Sequence, residues 1–141
     1  MDKCIECGNS KLKFEYITMT RSFNDFTFVG KVFCRECTNC HESYVDHAEL
    51  AFFEKRIAIR IIQEECRVSA AIKFLRKYLG LTFLQLSELF GLAVDHVMLW
   101  EQGHPIDQVA WIALTSLVKL KTNLSGAYFT EIEVVNNKLK E

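Results

Sequence analysis

Proline is almost absent from this chain. Among 141 residues only Pro105 occurs, with six glycines, so no long structureless linker is expected. An excess of charge of one sign is missing too. Seventeen Lys and Arg stand against eighteen Asp and Glu, a formal net charge of -1, so bulk charge gives no support to nucleic-acid binding. No run approaches the roughly 18 apolar residues of a membrane span. The start, Met1-Asp2-Lys3-Cys4, lacks the apolar stretch of a secretory signal. Both absences predict a cytoplasmic protein without a membrane partner, in a compartment where thiols stay reduced. No Ser/His/Asp or paired-carboxylate constellation is legible, so an enzyme is not expected.

What is present is apolar mass and cysteine. Half the residues are hydrophobic and 25% are charged, enough to bury a core rather than remain a disordered tail. Phenylalanine is abundant at 11 residues. Five of the six cysteines fall in the first 40 residues: Cys4, Cys7, Cys34, Cys37 and Cys40. In a reducing compartment such a density points to metal before disulfides.

Cys4-Ile5-Glu6-Cys7-Gly8 reads as a knuckle, two thiolates reaching one ion from a tight turn, with Gly8 relieving the backbone where its amides approach sulfur. A structural zinc ion takes four tetrahedral ligands, so a second pair is required. Cys37 and Cys40 are preferred, because polar turn-forming residues fill Cys37-Thr38-Asn39-Cys40. The preceding Phe28–Phe33 segment reads as a strand carrying Cys34 at its end. Cys34 with Cys37 stays open as the alternative, and His41 or His47 could replace one thiolate, although a solvated surface histidine is the ordinary reading of each. The predicted cofactor is one structural zinc held by Cys4, Cys7, Cys37 and Cys40, a closed shell without a position for catalytic water. Cys66 reads as a small buried hydrophobe in a helical stretch.

The fold class predicted is α+β: a small N-terminal zinc-bound β module, a linker helix, and a C-terminal all-α bundle. Residues 11–33 alternate (Leu12, Phe14, Tyr16, then Phe26, Phe28, Val32) around a turn at Asn24-Asp25, giving an antiparallel ribbon. We place this module at residues 1–46. Leu50, Phe53, Ile57 and Ile61 recur at helical spacing, giving a linker helix at residues 47–68. Residues 69–141 read as short helices. Ser69 is expected to cap the first, which stops at Gly80. Thr82 with Gln85 forms a capping box for the next, which stops at Gly91. After Gly91-Leu92-Ala93 comes a helix from about Val94 to Glu101. Asp107 opens another through about Leu120, and Ser125 a last one through about Lys138.

Helix, glycine-containing turn, helix is the helix-turn-helix unit. The segment Leu79-Gly80-Leu81-Thr82, Leu86-Ser87-Glu88-Leu89-Phe90-Gly91, Val97 and Trp100-Glu101-Gln102-Gly103 resembles a Cro/repressor-type (XRE) domain. Cys37-Thr38-Asn39-Cys40-His41-Glu42-Ser43-Tyr44-Val45-Asp46 resembles the second knuckle of the YgiT-type zinc module. The two in this order, over about residues 4–120, resemble the MqsA family of antitoxins. That resemblance implies a toxin partner bound through the zinc module, dimerisation through the C-terminal domain, and repression at an operator palindrome.

The chain departs from the family pattern at the reading helix. Phe83 stands where a glutamine usually follows the helix-opening threonine, and the base-reading Asn and Arg positions hold Asp95 and Leu99. Residues 82–101 contain no Lys or Arg. The nearest supply of phosphate contacts is Lys73, Arg76 and Lys77 on the preceding helix, with His96 as an outward candidate; an ordinary solvated face is the alternative for the three cations. The expected function is a DNA-binding transcriptional regulator of antitoxin type, with double-stranded DNA, a toxin and a second copy as partners. The competing expectation is a protein-interaction or dimerisation module of helix-turn-helix fold that does not read DNA.

Overall fold

The computed structural model describes residues 3–122 and 132–136. It is α+β. Three N-terminal strands are followed by five helices, and a fourth strand from the C-terminal side returns to complete a four-stranded antiparallel sheet.

Strands β1 (Leu12–Phe23) and β2 (Phe26–Cys37) make a long hairpin, in unbroken register from Phe23 opposite Phe26 to Leu12 opposite Cys37. The two-residue turn falls at Asn24-Asp25, with Asn24 at φ 53, the left-handed conformation that asparagine tolerates best among non-glycines. The other edge of β2 is shared. β3 (Ser43–Tyr44) pairs with Arg35 and Glu36 near the N-terminal knuckle, and β4 (Ile132–Asn136) pairs with Phe26–Gly30 near the turn. The alternating aromatics of β1 do not point to the core: Phe14 and Tyr16 are exposed, stacked on and edge-on to Phe33. The inward set is the other one, Ile17, Met19, Arg21 and Phe23 opposite Val32, Gly30, Phe28 and Phe26.

Helix α1 (His47–Gln63) lies against the inner face of β2. Gly30 leaves no room for a side chain between them: a Cβ there would fall 2.4 Å from Ile132 of β4 and 3.2 Å from Phe53 of α1. Helices α2 (Ser69–Leu79), α3 (Phe83–Phe90), α4 (Val94–Glu101) and α5 (Gln108–Thr122) follow, joined by short loops. Phe23, Phe28 and Val32 of the sheet, Phe53 and Ile57 of α1, Leu75, Leu86, Val97, Trp100 and Val118 of the later helices, and Ile132 of β4 belong to one buried cluster. The three segments read from the sequence therefore share a single core.

Local chemistry sets most helix ends. Thr82 accepts from the Gln85 amide while the Gln85 side chain accepts from the Thr82 amide, the expected reciprocal box. Helices α1, α2 and α3 close on one motif, in which a left-handed residue just past the helix and the residue after it bond back three and five positions: Glu65 and Cys66 to Ile62 and Ile61, Gly80 and Leu81 to Lys77 and Arg76, Gly91 and Leu92 to Glu88 and Ser87. The residue in the left-handed conformation is glycine twice (φ 72 and 67) and Glu65 once (φ 49).

Two expectations are corrected. Ser69 does not cap α2; it is the first helical residue, and Val68 occupies the cap position with no side-chain hydrogen bond. A final helix reaching Lys138 is not formed at residues 132–136, where Ile132-Glu133-Val134-Val135-Asn136 is strand β4. Its β-branched residues suit a pleat, and the open edge of β2 supplies the backbone partners that override a helical reading. Ser125 lies outside the described residues. No helix among those described is long and apolar enough to cross a membrane.

Candidate metal centre

The end of the hairpin remote from its turn carries the first chemical constellation. Two short loops face each other there with matching geometry. In the first, the Gly8 amide bonds the Cys4 carbonyl at 2.9 Å and the Cys4 amide bonds the Asn9 carbonyl at 2.9 Å. In the second, the His41 amide bonds the Cys37 carbonyl at 3.0 Å and the Cys37 amide bonds the Glu42 carbonyl at 2.9 Å. Gly8 and His41 hold equivalent left-handed positions, φ 73 and 63. Glycine takes that conformation freely, whereas His41 takes it against its own Cβ.

These turns bring the sulfurs of Cys4, Cys7, Cys37 and Cys40 within 4.8 Å of one another. The Cys4 to Cys40 separation is 3.6 Å and Cys7 to Cys37 is 3.4 Å. Four thiolates around one ion at about 2.3 Å would stand roughly 3.8 Å apart, so the donor set fits a tetrahedral metal. Cys4 and Cys37 are buried, while Cys7 and Cys40 lie at the surface. This is the set the sequence spacing prefers. Cys34 is outside it, buried on the inner face of β2, its thiol pushed up by burial and then by Glu15 and Glu36.

Neighbouring groups already favour charge on two of the sulfurs. The Cys37 thiol is lowered to about 6, first by the Cys40 backbone amide and further by the amide of Asn39 and the side chains of Cys7 and Asn9. Cys4 is lowered chiefly by its hydrogen bond with Tyr44, whose hydroxyl lies 3.0 Å from the sulfur. Tyr44 is raised to about 12 by the same contact, so the phenol donates and the sulfur accepts. Cys40 receives a backbone hydrogen bond from Glu42 that favours its thiolate. Burial and the crowding of Cys4, Cys7 and Cys37 outweigh it and push Cys40 up to about 12. Four sulfurs this close cannot all ionise alone, and a cation among them removes the conflict.

Asn9 and Tyr44 escape the sequence reading. Asn9 ties the loops together, its amide group reaching the Lys11 carbonyl at 3.3 Å, Thr38 Oγ1 at 3.2 Å and Cys37 Sγ at 3.6 Å. The only available signal was position, Asn9 just after Gly8 and Tyr44 four residues past Cys40. His41 and His47 are solvent-exposed and belong to no metal-binding cluster among the described residues. Cys66 is fully buried as expected and is raised to about 11 by burial, but it sits in the turn after α1 rather than in a helix.

The four residues proposed from sequence for DNA do not share one surface role. Lys73 and His96 are exposed, and His96 stands edge-on to Trp100 at 5.5 Å. Lys77 opens on a shallow groove of about 450 Å³ that Lys55, Tyr78 and Lys121 also line. Arg76 is not a solvated cation. It forks onto Glu101, Nε to Oε2 at 2.7 Å and Nη2 to Oε1 at 3.2 Å. It also donates to the Leu81 carbonyl and lies 4.1 Å from the Phe83 ring centroid. Its guanidinium is taken up inside the helical part, which removes it from the expected phosphate-contact set.

Fold and site together define an α+β protein with a four-thiol centre capable of holding a metal ion, built onto a compact set of helices. No family model, curated protein or solved structure matches the chain.

Proposed function

We propose that the metal is zinc and that the chain is a DNA-binding transcriptional regulator of antitoxin type, able to dimerise and to bind a toxin. Four thiolates in a tetrahedral set suit zinc, which a reducing compartment supplies without redox chemistry. The observation that carries the regulatory reading is the pair α3 and α4. They are joined by Gly91-Leu92-Ala93 and packed through Leu86, Val97 and Trp100, behind a metal module in the order that resembles the MqsA family. On this reading α4 presents Asp95, His96 and Leu99 outward, and phosphate contacts come from Lys73 and Lys77. Arg76 and Glu101 lock α2 to α4, and Phe83, in place of the family glutamine, packs over that guanidinium.

The test is a fluorescence-anisotropy titration of the zinc-loaded protein against its own upstream DNA, with scrambled DNA as control, at two salt concentrations. Sequence-selective binding that weakens with salt is expected, and Lys73→Ala with Lys77→Ala should weaken it on every sequence. Absence of binding at micromolar protein would sink the regulatory reading.

One observation favours the second reading, a protein-interaction module. Leu89 and Val109 are exposed on the lining of a cavity of about 270 Å³ between the end of α3 and the start of α5, with Leu92, Ala110 and Ala113, and Ile112 is exposed a turn further along α5. An apolar surface of this kind is ordinarily covered by another protein.

A further inference from the structure

Strand β1 is an edge. Among the described residues nothing pairs with its outer side, and no hydrogen bond reaches it. The direction of its backbone groups follows from the register. The two-residue turn makes Phe23 and Phe26 the hydrogen-bonded closing pair, and bonded and non-bonded pairs alternate from there. Odd-numbered residues of β1 therefore bond to β2. Leu12, Phe14, Tyr16, Thr18, Thr20 and Ser22 turn both their N–H and C=O outward. Two contacts check the alternation independently. Lys31, opposite Thr18, turns its carbonyl away from β1 and accepts from Arg56 Nη2 at 2.8 Å. Cys37, opposite Leu12, turns its amide away and bonds Glu42.

Edges left open are usually blunted by proline, lysine or a bulge. The outward positions of β1 carry none of these. Its charges, Lys13, Glu15 and Arg21, sit on the other set and face the inner side. They act as a filter on what can be added. Glu15 and Glu36 share one lysine, Lys13, at 4.0 and 3.0 Å, so this end of the strand carries surplus negative charge. Arg21 at the other end touches Glu54 at 3.7 Å and keeps 41% of its side chain exposed.

We infer that a second copy of this chain adds antiparallel to β1 about a two-fold axis through Thr18, joining the two sheets into one. In that register Thr18 meets Thr18, Tyr16 meets Thr20 and Phe14 meets Ser22, each a hydrogen-bonded pair built from outward residues. Between them Ile17 meets Met19, and Glu15 of one copy meets Arg21 of the other, twice by symmetry. An axis through Ile17 gains one more backbone pair by using Leu12, but it sets Lys13 opposite Arg21, like charge on like charge, twice. An axis through Tyr16 keeps as many backbone pairs as one through Thr18 but sets Glu15 opposite Ile17 and Lys13 opposite Met19, with no opposite charges across the strands; axes further out lose backbone pairs. Opposite charges directly across a strand pair stabilise it and like charges oppose it, so the charges select Thr18. An unrelated strand would have to match both the acid and the base, which makes the edge selective for its own sequence.

Residue-resolved amide exchange of the zinc-loaded full chain, read by NMR from micromolar to millimolar protein, tests this. The amides of Tyr16, Thr18 and Thr20 should slow by about tenfold or more as concentration rises, while those of Ile17 and Met19, bonded to β2, stay protected throughout. Copies meeting anywhere else on the molecule would not protect the outward amides. Thr18→Pro removes an outward donor and leaves the β2 bonds in place, so it should abolish the slowing with Ile17 and Met19 still protected. Arg21→Glu should also abolish it, and Glu15→Arg combined with Arg21→Glu should restore it. Concentration-independent exchange in the unaltered protein overturns the proposal. Stronger slowing in Arg21→Glu overturns the Thr18 axis, because it is the result expected where Lys13 faces position 21.

Discussion

At the scale of single residues the most consequential pair is Arg76 with Glu101. It joins α2 to α4 across 25 positions, with side chains only 11% and 6% exposed. A guanidinium held in a two-point fork with its third nitrogen on a carbonyl is well satisfied, but only while the carboxylate is present. Glu101→Ala should therefore cost about 3 kcal/mol, because it leaves a buried charge without its partner. Replacing both residues by leucine should recover most of that loss. Urea denaturation of the single and double variants measures it; a single variant within experimental error of the parent would mean that solvent screens the pair. Nothing in the sequence announced this contact. Arg76 stands between Lys73 and Lys77, where three cations at helical spacing read as one solvated face, and only tertiary packing separates the middle one from its neighbours. The four clustered cysteines were legible for the opposite reason: their grouping follows from spacing within two short loops. The preference for Cys40 over Cys34 rests on the polar turn residues between Cys37 and Cys40 and on the strand before them; these leave Cys34 open, and the clustering of the sulfurs decides it.

At the scale of elements, three helices end on the same backbone motif, with glycine in two of them and Glu65 in the third. A non-glycine residue at a left-handed position costs about 1 kcal/mol, and the contacts of Glu65 do little to offset it. Its carboxylate meets Arg67 at 3.0 Å, an exposed pair of small worth. Glu65→Gly should then stabilise the protein by roughly 0.5–1 kcal/mol, less than the full strain because glycine also gains freedom in the unfolded chain. Thermal unfolding of the variant checks this; an unchanged or lower midpoint would mean that the Arg67 pair or the unfolded state dominates. The same motif explains why the boundaries of α2 and α3 could be read from Gly80, Thr82, Gln85 and Gly91, since each ending is written in residues that touch it. β4 could not be read this way. Five residues with an interrupted alternation are weak evidence by themselves, and what makes Ile132–Asn136 a strand is the open edge of β2 a hundred residues earlier.

At the scale of the whole molecule, the metal centre and the apolar core occupy opposite ends of the hairpin. The core takes the turn end, where Phe23, Phe28 and Val32 meet Phe53, Phe74 and Ile132. The metal end is polar, with Lys13, Glu15 and Glu36 on the inner face and Phe14 and Tyr16 exposed on the other. With the zinc proposed above bound there, burial could not hold that end together once the ion was removed. The strands run about 40 Å from turn to knuckles at the usual rise per residue, so loss of the ion should be felt locally. Chelation should release one metal ion per chain and remove exchange protection from residues 4–16 and 34–44. The amides of Phe28, Gly30 and Val32 and the helical circular dichroism should change little. Cys4→Ser should reproduce that pattern without chelator, since Cys4 is both one of the four clustered thiols and the partner of Tyr44. If chelation instead melted the helices in one step with the sheet, the shared core would be transmitting the loss of metal to the whole chain. The module would then be a folding switch for the helical part rather than a clasp on the far end of the hairpin.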